Sequence, residues 1–164
     1  MHKEIWTIGR ILQWTEQYFQ SKEMDTPRLD GEVLLSHVLG KDRIYLYTHY
    51  DQPLIQEELD AFRPLVQRRA KGYSVASITG QKDFMGLTFK VNDKVLIPRP
   101  DTETLIEHVL DTYPENRNMR ILDVCTGPGT ILLSLLHYLP NAVGVGLDIS
   151  ADALPLAREN ADFF

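Results

Sequence analysis

Apolar positions in the first part of the chain recur at helical spacing. Ile5, Ile8, Leu12, Thr15 and Phe19 fall on one side of a helix, and Ile11 and Tyr18 widen the stripe. The segment DTPRLDGEVLLSHVLG predicts a second helix, with Pro27 in its first turn and Gly40 at its C-terminal stop. Ile55, Leu59, Phe62 and Val66 predict another one-sided stripe, which Pro64 is expected to kink or to begin. Residues 1–73 therefore read as an all-α bundle of short helices around a modest shared core.

The pattern then changes period. In GYSVASITGQKDFMGLTFKVNDKVLIPRP the residues Val, Ile, Thr and Phe dominate, broken by Gly80, Gly86 and the turn-prone VNDK. This predicts a β-hairpin connector over residues 74–97. DTETLIEHVLDTYP is an amphipathic helix with Asp101 and Glu103 near its start, where carboxylates suit the helix dipole. Arg99 and Glu103 are expected to pair across that corner. From Met119 the order is strand (RILDV), glycine loop, helix (TILLSLLHYL), strand (AVGVGLD) and helix (ADALPLARENA). That is one βαβ unit and the beginning of another crossover, with strands apolar enough for a buried parallel sheet. The fold class is α followed by α/β, with residues 98–164 as the first part of a Rossmann-like domain.

Composition narrows the function classes. A formal charge of -6 argues against a general nucleic-acid binder, so DNA is not an expected partner. Cys125 is the single cysteine, which excludes an intramolecular disulfide and a multi-cysteine zinc site and suggests a reducing cytoplasm. No apolar run approaches the ~18 residues of a membrane helix, and the N-terminal MHKEIWTIGRILQW lacks the apolar core of a signal peptide. His37, His49 and His137 have no second ligand at metal-binding spacing, so no metal is expected. Cys125 lies near a helix N-terminus but has no evident base, and reads as a passive small residue.

The chemistry concentrates in DVCTGPGT, residues 123–130. A dinucleotide fingerprint wants a third small residue three positions after its second glycine, and after Gly127 and Gly129 that position is Leu132. Pro128 removes an N–H that a phosphate would need, and Asp123 would repel the phosphate. No G-K-[ST] follows, which excludes a P-loop. A ligand carrying adenosine without phosphate fits better, and S-adenosylmethionine adds a sulfonium and an ammonium that Asp123 would attract. Asp148, 19 residues beyond Gly129, ends the next strand where an acid can accept hydrogen bonds from ribose hydroxyls. The competing reading is that Gly127 and Gly129 only permit a tight turn and that Asp148 caps the next helix.

LIPRPDTETLIEHVL, ILDVCTGPGTILLSLL and GVGLDISADALPLAREN together resemble the HemK/PrmC family of S-adenosylmethionine-dependent methyltransferases, which modify a glutamine side chain in peptide chain release factors. TPRLDGEVLLSHVLGKDR is similar to the family's N-terminal helical domain, and ITGQKDFMGLTFKV to its hairpin connector. The resemblance implies a substrate-recognition role for residues 1–73. It implies a cofactor loop of Cys125, Thr126, Gly127, Pro128 and Gly129, with Asp148 on the ribose. The family usually has Gly where this chain has Cys125 and a small residue where it has Pro128. Its catalytic Asn-Pro-Pro-Tyr segment is not matched, since the chain contains no Asn-Pro pair. The expectation is an N-terminal portion of a longer enzyme, inactive alone, that self-associates through unpaired strand edges. A nucleic-acid amino-methyltransferase and a non-catalytic release-factor-binding module are the alternatives.

Overall fold

Thr7 decides where the first helix begins. Its hydroxyl accepts the Arg10 N–H at 3.3 Å, and α1 (Ile8–Gln20) starts immediately after it. Ile5 therefore lies outside the helix and is exposed, whereas Ile8, Ile11, Leu12, Thr15 and Phe19 are buried as the spacing predicts. The computed structural model describes residues 5–114 and 116–164. It divides into two compact units, Met1–Thr79 and Gly80–Phe164.

The first unit continues with α2 (Pro27–Leu39), α3 (Arg43–Thr48), α4 (Gln56–Ala70) and α5 (Val75–Thr79). Pro27 occupies the first turn of α2, and Gly40 closes it in the left-handed region at φ 60°. Asp42 caps α3 by accepting the Tyr45 N–H at 2.7 Å. Ile55 is exposed just ahead of α4, where its N–H donates to Glu58 Oε2 at 2.9 Å, so the buried part of that stripe is Phe62 and Val66. The helix neither begins nor ends at Pro64. Pro64 and Asp60 are both exposed, so water can satisfy the carbonyl that proline leaves without a donor. The side chains of Ile8, Leu12, Phe19, Leu34, Leu35, Leu46, Phe62 and Val66 form the core.

Two buried acids on α2 fasten the neighbouring helices. Asp30 Oδ2 accepts from Arg69 Nε at 2.7 Å, tying α4 to α2. Glu32, 1% exposed, accepts from Arg28 Nε at 2.6 Å, from Arg43 Nη2 at 2.7 Å and from the Tyr47 hydroxyl, tying α3 to α2. Burial pushes the Glu32 carboxyl up, but the hydrogen bonds from Tyr47, Arg43 and Arg28 outweigh it and hold it below the ordinary carboxylate range.

The second unit opens with the antiparallel strands β1 (Gln81–Phe84) and β2 (Leu87–Lys90), followed by α6 (Asp101–Thr112). The strand texture predicted over 74–97 thus reduces to one short hairpin. Ser74 accepts the Ser77 N–H at 3.1 Å and starts α5, while Asn92 accepts the Lys94 N–H at 2.9 Å in a turn that closes the strand region. Met85 and Gly86 form the two-residue turn with φ of 52° and 71°, the conformation that suits tight hairpins. Next come β3 (Met119–Val124), α7 (Thr130–Tyr138), β4 (Ala142–Leu147) and α8 (Ala153–Phe163).

Strands β3 and β4 pair in parallel, with Ile121 opposite Gly144 and Val124 opposite Leu147. This is the strand–helix–strand–helix order of a partial Rossmann-like fold. Phe84, Phe89, Ile106, Leu135 and Leu139 make a core that joins the hairpin to α6 and α7. Leu122, Val124, Val143 and Val145 project from the opposite sheet face, exposed by 63, 64, 61 and 57%. Among the described residues no helix is long and apolar enough to cross a membrane.

Replacing Glu32 by Ala should lower stability by about 2–3 kcal/mol. That is less than the ~3–5 kcal/mol of a fully buried pair, because the Arg28 and Arg43 side chains are 29% and 48% exposed and can turn to water. Since the carboxyl is held low in the folded state, its contribution is complete above its unfolded-state pKa and disappears as pH falls through the native value. Urea unfolding at neutral and acidic pH checks both. An unchanged midpoint at neutral pH, or a wild-type–variant gap that widens on acidification, would contradict this reading.

Candidate functional site

The glycine loop runs from the end of β3 to the start of α7. Cys125, Gly127 and Gly129 have φ of 68°, 56° and 85°, so the turn reaches the left-handed region at every second residue. A glycine would adopt all three positions freely, and Cys125 occupies the first of them as an exposed residue with a free thiol.

The loop is held from below by β4, which lies close because it lacks side chains at two points. A Cβ on Gly144 would come within 2.5 Å of Leu132 Cδ1, and one on Gly146 within 2.9 Å of Thr126 Oγ1. The space over Gly146 lets Thr126 seat itself, 7% exposed, with its hydroxyl donating to Asp123 Oδ2 at 2.7 Å. The Thr126 N–H donates to the Leu147 carbonyl at 2.9 Å.

Asp148 follows β4 directly and faces the loop. The Gly127 N–H donates to its Oδ2 and the Ser150 N–H to its Oδ1, each at 2.8 Å. The bonds from Ser150 and Gly127 hold the Asp148 carboxyl below the ordinary carboxylate range. Asp148 does not cap the following helix: α8 begins at Ala153, after Asp152. The structure therefore gathers Cys125, Thr126, Gly127, Pro128, Gly129 and Asp148 in one place, with Asp123 beneath them.

The donor count shows what this loop can receive. Thr126 and Gly127 have spent their N–H groups as described, the Gly129 N–H donates to the Thr126 carbonyl at 2.9 Å, and Pro128 has none. With the Thr126, Gly127 and Gly129 N–H groups engaged internally, the turn itself offers a phosphate few donors, and the two carboxylates beside it oppose an anion. Each ionised carboxylate oxygen can accept more than one hydrogen bond. The site therefore suits a neutral or cationic ligand with hydroxyl groups.

Two side chains hold this region in ways the pattern alone left unread. Glu103 forms no ion pair with Arg99 among the described residues; its Oε1 instead accepts the Met85 N–H at 2.7 Å, while the Tyr138 hydroxyl donates to the Met85 carbonyl at 2.7 Å. Asn160, 1% exposed, bonds to the backbone of Lys90 and to the carbonyl of Pro128. Its signal was a polar residue on the buried side of α8, in step with Ala153 and Leu156.

Comparison with known proteins agrees with both units. Residues 10–80 match the PrmC N-terminal domain, and residues 115–163 match a methyltransferase domain. A release factor glutamine methyltransferase of Geobacter sulfurreducens is 45% identical over 159 residues, covering 97% of this chain and 55% of that protein. Its counterpart in Chlorobaculum tepidum is 41% identical, covering 98% of this chain and 56% of that protein. The one in Rhodopirellula baltica is 38% identical, covering 96% and 54%. These matches bear out the resemblance to the HemK/PrmC family. The chain spans about half the length of the curated relatives it matches.

Cys125→Gly should raise stability by about 0.5 kcal/mol: relief of about 1–2 kcal/mol of left-handed strain exceeds the ~0.4–1 kcal/mol of added unfolded-state entropy. Cys125→Val should lower it by about 1 kcal/mol or more, because a β-branched residue fits that region worst. Denaturant titration of both variants checks the order, which a reversed ranking would refute.

Proposed function

We propose, for a chain whose helical part belongs with the PrmC N-terminal domain and whose α/β part belongs with the methyltransferase domain, that it carries the recognition and cofactor-binding portions of a release factor glutamine methyltransferase. The reaction is N5-methylation of a glutamine side chain in a peptide chain release factor, a protein of translation termination, in the cytoplasm. Residues 1–73 recognise the protein substrate, residues 74–97 connect, and residues 98–164 begin the methyltransferase domain.

S-adenosylmethionine supplies the methyl group, carried on a sulfonium. Asp123, at the end of β3, provides negative charge toward that cation and its ammonium. Asp148 accepts from the ribose hydroxyls with the capacity left after Gly127 and Ser150. Cys125, Thr126, Gly127, Pro128 and Gly129 would form the loop that receives the ligand beside the Asp148 carboxylate. The observation that carries this reading is the pair of carboxylates, Asp123 and Asp148, beside a turn whose Thr126, Gly127 and Gly129 N–H groups are already engaged, which favours adenosine with a cationic tail over a pyrophosphate. Orientation of the target amide belongs to an Asn-Pro-Pro-Tyr segment, which these residues do not contain, so this chain by itself does not transfer the methyl group.

The second sheet face supports self-association as well. Leu122, Val124, Val143 and Val145 leave an apolar surface between strand edges that still have pairing capacity, and a second copy supplies the complementary surface.

Calorimetric titration of this chain with S-adenosylhomocysteine should give saturable binding that NAD and ATP do not reproduce. Asp148→Ala should weaken it by about tenfold or more, the equivalent of one to two hydrogen bonds to a charged group. Preferential binding of NAD or ATP would overturn the cofactor assignment. In sedimentation at tens of micromolar the chain should run larger than a monomer; a single monomeric species would refute the self-association.

A further inference from the structure

Asn160 makes three hydrogen bonds with a side chain that has one acceptor and two donor hydrogens. The Lys90 N–H donates to its Oδ1 at 2.8 Å, and its Nδ2 donates to the Lys90 carbonyl at 3.0 Å. The same nitrogen donates to the Pro128 carbonyl at 2.8 Å. With the reverse orientation of the amide its oxygen would face two carbonyls, so the pattern fixes which atom is which.

The two bonds to Lys90 imitate a β-bridge: a side-chain amide engages the N–H and the carbonyl of one residue at the end of β2. The third bond reaches into the glycine loop. Pro128 has no N–H, so its carbonyl is the only backbone hydrogen-bonding group through which that residue can be held. The tip of the same hairpin is fixed separately, by Glu103 and Tyr138 on the two sides of Met85. The hairpin is thus anchored at both ends, and one anchor is shared with the loop.

We infer that Asn160 is a positioning residue that joins the cofactor loop to the hairpin, setting the height of Pro128 over the binding site and making loop geometry depend on β2. The inference rests on the cofactor reading above for its effect on affinity, and on the three hydrogen bonds alone for its effect on the loop. The chemistry requires Asn at this position. Asp would place a carboxylate against two carbonyls, Leu would leave all three backbone groups unpaired in a buried place, and Gln is one methylene too long for the same bridge.

The test uses the 164-residue chain and its variants Asn160→Asp and Asn160→Ser, the latter small enough to admit water should the former not fold. Amide hydrogen exchange is measured at residues 125–127 and 129 and, for reference, at 119–124. S-adenosylhomocysteine affinity is measured by calorimetry on the same samples. Exchange in the loop should accelerate about tenfold or more, with β3 within about twofold of wild type, and affinity should weaken about tenfold, as expected for one lost buried hydrogen bond. Equal acceleration in loop and strand would reduce Asn160 to a general structural role and overturn the proposal. So would wild-type exchange and affinity in a folded variant. If the wild-type chain itself binds no S-adenosylhomocysteine, the cofactor reading has failed separately, and the loop-specific exchange alone decides the role of Asn160.

Discussion

The close approach of β4 to the glycine loop and to α7 is the constraint from which the site follows. It exists because Gly144 and Gly146 have no Cβ where Leu132 and Thr126 must lie. With Thr126 seated over Gly146, its hydroxyl reaches Asp123 and its N–H reaches the carbonyl at the end of β4. That places Gly127 within hydrogen-bond reach of Asp148. A side chain at Gly146 would press on Thr126 and disturb the loop it seats, and one at Gly144 would press on Leu132 of α7.

The same economy governs the hairpin. Four-residue strands are too short to be stable by themselves, and this pair is held by polar side chains aimed at its backbone. Glu103 and Tyr138 take the N–H and the carbonyl of Met85 at the turn, where positive φ has turned both groups away from the ladder. Asn160 takes both groups of Lys90 at the other end. Phe84 and Phe89 then supply the apolar contact with α6 and α7. Glu103 is thus a hairpin anchor, which explains why it does not serve the nearby Arg99.

The sheet has two unlike faces. One has Ile121, Asp123, Gly144 and Gly146 beneath α7 and the loop; the other has Leu122, Val124, Val143 and Val145 open. Water-facing strands alternate apolar with polar positions, whereas parallel strands covered on both faces do not. These strands have the composition of the second kind. The helical unit solves the opposite problem, because its buried Asp30 and Glu32 need cationic and hydroxyl partners from α2, α3 and α4 to remain inside.

Local periodicity was enough to read the helical stripe of α1, the stop at Gly40, the order from β3 to α8 and the loop at residues 125–129, because each depends on neighbours within a few positions. Strand texture over 74–97 overstated the hairpin, since Ser74 and Asn92 redirect the backbone with side-chain hydrogen bonds that β-propensity does not register. Ile5 and Ile55 matched their stripes in spacing but lie outside the helices, because the capping interactions at Thr7 and Ile55 set the starts. Residue type and spacing alone made Asp148 a plausible partner of a ribose or a helix cap. Only the tertiary structure brought Gly127 to it, 21 residues earlier in the chain. Only the tertiary structure could join Asn160 to Lys90, 70 residues away, because hydrogen bonds between distant segments depend on how the elements pack and leave no period in the sequence.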